Sequence, residues 1–222
     1  MSDITQPQEV PTPKPRGAVG ELLRRWRVLL LSSILLIELA IFFVAMVIPI
    51  DSASQQELVK QADKILGNAS NPTPNQVFTL ILGNNVRVAL LEVVPVIGPI
   101  VFVLSIFTTG QVIQAVAISN GLPVGIYGLL LFIFPFALVE LAAYATAVGS
   151  GAMLLIALIR RRLVQELWVL ALELFLVVSL LLAAAAMETA AILSPVLGIL
   201  MWGPAAAAII VIVVGASRRR PS

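Results

Sequence analysis

Between Asn75 and Gly151 a nearly continuous apolar stretch is interrupted by Asn84, Asn85, Arg87, Glu92, Gln111, Gln114, Asn120 and Glu140, and Glu38 and Glu173 add carboxylates to the apolar runs on either side. Ionisable groups in lipid mark either a functional path or a fold-specifying knot. Arg87 is the one cation deep in the middle, against Glu38, Glu92, Glu140 and Glu173. One guanidinium cannot neutralise four carboxylates, so some must be protonated, solvated at an edge or facing water. Arg87 with Glu140 reads as a buried pair that specifies the fold, or as part of a solute or proton path. Asn84 and Asn85 read as cross-helix hydrogen-bonding groups, with ligand binding the alternative.

Covalent and hydrolytic chemistry is poorly supplied. Cysteine and histidine are both absent, which removes disulfides, the usual zinc sites, thiol nucleophiles and imidazole bases. Intramembrane aspartyl proteolysis needs two membrane aspartates, but Asp3, Asp51 and Asp63 all lie in polar tails or loops. No Gly-rich loop ending in Gly-Lys-Ser or Gly-Lys-Thr offers a phosphate cradle. No catalytic residue, metal site or cofactor is expected, and the chain is not read as an enzyme.

The elements that hold these residues are membrane helices. A 222-residue chain that is 59% hydrophobic and 12% charged, with a mean hydropathy of +1.03, cannot present an ordinary soluble surface. Its apolar runs lack barrel-like alternation, so the fold class is all-α: a polytopic transmembrane bundle of about six spans with broken or re-entrant central helices. Basic residues cluster at Lys14 to Arg27, Arg160 to Arg162 and Arg218 to Arg220. Beside apolar runs they act as inside anchors touching anionic lipid rather than as a nucleic-acid surface, so the chain is expected in the cell membrane, multi-pass, with both termini cytoplasmic.

Residues 1–27 read as a disordered cytoplasmic tail ending in an interfacial turn at Glu21 to Arg27, with Trp26 at headgroup level. Residues 28–217 form a single transmembrane domain with spans at 28–48, 77–97, 98–119, 123–150, 163–186 and 195–215, and 218–222 is a basic cytoplasmic tail. The outer loop, 51–76, holds a short helix around Glu57, Lys60, Asp63 and Lys64, and a glycosylation acceptor pattern at Asn68. The span at 77–97 is unusual. Its thirteen Leu, Ile, Val and Phe residues favour insertion by roughly 5 kcal/mol, while Arg87 and Glu92 oppose it by about 5 to 7. It must be wrapped by other helices, or enter part way as a hairpin closed at Pro95 and Gly98-Pro99.

Further on, Thr108, Gln111 and Gln114 form a drifting polar stripe beside Gly110. Asn120 and Gly121 make a tight turn before Pro123. Pro135 breaks or kinks the fourth span, followed by Glu140, with Tyr144 one turn below it and a small-residue face at Ala143, Ala147 and Gly151. Glu166 is expected to pair with Arg162, and Glu173 to lie deeper on the same face. Glu188 is expected in an outer turn, and the last span bends at Gly203-Pro204.

Asn84-Asn85, Gly98, Gly110, Asn120-Gly121 with Gly125, Pro135 with Glu140, and Gly149 resemble, in order and spacing, the core pattern of the stage II sporulation protein M family, over roughly residues 75–151. The resemblance implies a polytopic membrane protein that, in spore formers, anchors cell-wall hydrolases at the division septum during engulfment. One departure stands out: where the family usually has Pro-His-Gly before its Glu, this chain has Pro135-Phe136-Ala137. The expected function is an integral membrane scaffold or assembly component of the cell envelope, bound to lipid and to a protein partner or a second copy of itself. A small-solute or ion transporter or channel using the buried carboxylates is the alternative.

Overall fold

Proline, aspartate, asparagine and arginine fix most of the helix ends. The computed structural model describes residues 25–65 and 73–207, and among these there are helices and turns but no strand. Helix α1, Arg25–Val47, stops short of Pro49. Asp51 then opens α2, Ser52–Ile65, by accepting the N–H groups of Ala53 and Ser54 at 2.9 Å each. Thr73 caps α3, Pro74–Glu92, in a reciprocal box: Gln76 N–H donates to Thr73 Oγ1, and Thr73 N–H donates to Gln76 Oε1.

The connection from α3 to α4, Ile97–Ser119, is strained. Val96 has φ 71° and ψ −49°, and Ile97 N–H donates to Pro95 O at 2.9 Å, which closes a three-residue γ-turn. A Cβ at Gly98 would stand 1.9 Å from the Glu92 carbonyl oxygen, so only glycine can follow this turn. Helix α4 ends with Gly121 at φ 66°, where Gly121 N–H reaches Ile118 O and Leu122 N–H reaches Ala117 O. Asn120-Gly121 thus forms the expected turn, with the Ala117 and Ile118 carbonyls satisfied.

The expected fourth span is two helices, α5, Val124–Leu131, and α6, Pro135–Ile159. Pro135 has no N–H and pushes Phe134 into extended backbone, φ −96° and ψ 135°, so the helix restarts rather than kinks. Trp202 Nε1–H donates to the carbonyl of Ile133 in the break, at 2.6 Å. Arg160 to Arg162 make the next turn, with Arg161 at φ 54°. Helix α7, Leu163–Leu193, runs past residue 186, so Glu188 is helical rather than in an outer turn. The alanine-rich segment offers nothing to stop it before Pro195. Helix α8, Pro195–Leu200, gives way to a turn at Met201, ahead of the expected bend at Gly203-Pro204.

Helices α1, α4, α6 and α7 are each long and apolar enough to cross a membrane. The α6–α7 contact is the most extensive, and α1 lies along α4 and α6. Helix α3 packs against α7, α4 and α6, which covers Glu92 and leaves Arg87 exposed. The core gathers Phe42 and Met46, Phe102 and Ile106, Leu141 and Tyr144, and Val177 and Leu181 from the four long helices. The turn after α3 rests against α6: a Cβ at Gly151 would lie 2.6 Å from Val93 O. Helix α6 continues beyond that level to Ile159 by two more turns, about 12 Å.

Candidate functional site

Two polar centres lie in the bundle. The first is built of carboxyls from three helices. Glu38, halfway along α1, and Glu92, the last residue of α3, are both fully buried. Glu140, one turn into α6, is half-buried and accepts a hydrogen bond from Tyr144 OH at 3.0 Å. The Ser105 hydroxyl on α4 lies 3.0 Å from Glu92 Oε1 and 3.0 Å from Phe102 O, so its single proton can serve either. Glu38, Glu92 and Glu140 are close enough to act on one another electrostatically, and Glu188 of α7 is close enough to act on Glu140. Neither oxygen of Glu38 has a hydrogen-bond partner, nor does Glu92 Oε2.

Glycines let the backbones come this close. Gly110 of α4 faces the Phe42 carbonyl of α1, where a Cβ would stand at 2.6 Å, and Gly98 and Gly151 both meet the backbone at the end of α3. The Ala143, Ala147 and Gly151 face of α6 is buried as the sequence implied.

Arg87 is not in this centre. It is exposed, and among the described residues it makes no ion pair with Glu140. Its place on α3 follows from that helix burying Val77, Ile81, Asn85, Ala89 and Glu92 at helical spacing, which turns Arg87 outward. Asn84 is also exposed and donates to Asn85 Oδ1 at 3.3 Å, while the buried Asn85 keeps an unpartnered Nδ2. Gln114 is buried with its Oε1 unpartnered, Gln111 is half-buried and Thr108 exposed. Asn120 and Gly121 are exposed at their turn. Asn68 and the arginines at 218 to 220 lie outside the described residues.

The second centre was missed in the sequence. Arg27 is buried rather than interfacial, and its Nη1 donates to Glu173 Oε1 at 2.9 Å while Nη2 donates to Glu166. Glu166 therefore pairs with Arg27 and not with Arg162. The seven-residue spacing of the two glutamates, which puts them on one face of α7, was the available signal. The planar guanidinium spans them as a fork. Ser150 of α6 borders Glu173, and the neighbouring Trp26 ring lies 5.3 Å from the Arg27 guanidinium carbon.

Outside the bundle, Asp51 is held below the usual carboxylate range, first by the backbone N–H of Ser54 and then by the Ser54 hydroxyl. Among the described residues, no group of three acidic side chains is arranged to hold a metal ion.

The family model for stage II sporulation protein M matches residues 32–195. The chain belongs to that family. The match extends well beyond the 75–151 core, taking in Glu38 on α1 and Glu166, Glu173 and Glu188 on α7, whereas Arg27 precedes it. Family membership together with the apolar helices makes this a multi-pass membrane protein. At the start of α6, in Pro135-Phe136-Ala137, the Phe136 ring stacks on Phe134 at 5.9 Å. No curated protein and no solved structure matches the chain.

Proposed function

We propose that this member of the stage II sporulation protein M family is an integral membrane scaffold of the cell envelope, with both termini cytoplasmic and α2 on the outer side. The family match over residues 32–195 carries the reading. The basic clusters that flank the apolar runs of the sequence, set against the polar α2, support the orientation. In this reading α3 and α4 form a hairpin that enters from the α2 side and turns back before the Arg160 side. Its turn, Val93 to Ile97, has no polar side chain to meet water, and the N–H groups of Val93, Val94, Ile97 and Gly98 are satisfied within the turn.

A scaffold of this kind holds a protein partner or a second copy of itself. Cross-linking in intact cells, followed by affinity capture of the full-length protein, is expected to recover the same interactor reproducibly. Recovery of the uncross-linked chain alone would overturn the proposal.

A further inference from the structure

We infer that Glu38, Glu92 and Glu140 form an internal proton-binding site, in which bound protons take the place of the cation that the packing of α1 against α4 and α6, and of α3 against α4 and α6, leaves out. The inference is independent of the scaffold reading and stands on geometry. Glu38 and Glu92 are 0% exposed, and three of their four carboxyl oxygens have no hydrogen-bond partner. Isolated ionised carboxylates in such a setting are strongly disfavoured unless paired.

Pairing is not on offer from the neighbouring elements. Helix α3 contributes Glu92 itself, and its Arg87 faces outward. Helix α4 contributes the neutral Ser105 and Gln114, and α5 carries no charged residue. Helix α6 contributes Glu140 and Tyr144, and α7 adds another carboxyl, Glu188. The charged residues described on α2, Glu57 and Lys60, are exposed. Arg27, on the same helix as Glu38 but three turns away, is occupied by Glu166 and Glu173. Among the described residues no ion pair reaches Glu38, Glu92, Glu140 or Glu188, and no acidic trio is arranged to ligate a metal.

A proton on each group resolves the charge and supplies donors. An un-ionised carboxyl gains an O–H that can donate across the cluster, whereas the ionised form only accepts. Loss of the protons would leave like charges from α1, α3 and α6 facing one another inside the bundle.

Infrared spectroscopy of the full-length protein in lipid, with and without carbon-13 in the glutamate carboxyls, tests this directly. At pH 7 we expect a carbonyl band of un-ionised carboxylic acid that shifts with the label. Glu38→Gln and Glu92→Gln should each remove one carboxyl's share of the band and leave the protein assembled, because the amide reproduces the shape and neutrality of the protonated group. Absence of the band in the unmodified protein would overturn the inference. So would a band unchanged in both variants, or a glutamine variant that no longer assembles.

Discussion

One guanidinium bridges two carboxyl groups from α7, and removing it strands both acids. Arg27→Ala should therefore destabilise the protein by about 3 to 5 kcal/mol, measured by unfolding in mixed micelles. Adding Glu166→Gln and Glu173→Gln should recover part of the loss, since the stranded charges go with them. Asp51 works in the opposite setting, in water. With its ionised form held below the usual range by Ser54, its support of α2 is complete above the unfolded value of about 3.9 and is lost as the pH falls through the lower folded value. The amide resonances of Ala53 and Ser54 should titrate in that acid window, and Asp51→Ala should abolish the titration. Asp51 was read only as a loop residue, whereas the local turn at Asn120-Gly121 was legible in the sequence. Arg27 was not, because it and Glu173 are separated by 146 positions, and Arg87 was misread because which face of α3 is covered depends on α4, α6 and α7.

Elements followed local chemistry where that chemistry was decisive. Asn120-Gly121 ended α4, and Pro135 divided the fourth apolar run, because positive φ and a missing N–H act within a few residues. The length of α7 was less legible, since Glu188 looks like a surface residue until Glu140 is found near it. Close contacts between helices give a sharp test. A methyl group at Gly151 would meet the Val93 carbonyl at 2.6 Å, so Gly151→Ala should cost about 1 to 3 kcal/mol. Gly83 in α3 has nothing within 4 Å, so Gly83→Ala should instead gain about 0.5 to 1 kcal/mol from helix propensity. The absence of native cysteine makes single-cysteine labelling clean for the hairpin. Asn75→Cys and Asn120→Cys should react with an impermeant maleimide from the outer side, while Val96→Cys should be protected from both sides. Labelling of Val96→Cys from the cytoplasmic side would mean that α3 and α4 cross fully.

At the scale of the whole molecule, the insertion arithmetic for residues 77–97 required an escort, and α4, α6 and α7 cover the face of α3 that carries Glu92 while Arg87 stays exposed. The all-helical architecture and the family core were legible because lipid permits so few backbone solutions. The pairing of helices was not, because apolar runs of similar composition can pack in many orders, and the glycines that choose among them act only once their partners are known. The scaffold we propose holds a partner protein or a second copy of this chain. The most direct measurement is the native mass of the full-length protein extracted in mild detergent after cross-linking in cells. The account predicts a defined complex, with a partner or with further copies of the chain. A persistent lone monomer, with no interactor recovered, would contradict it.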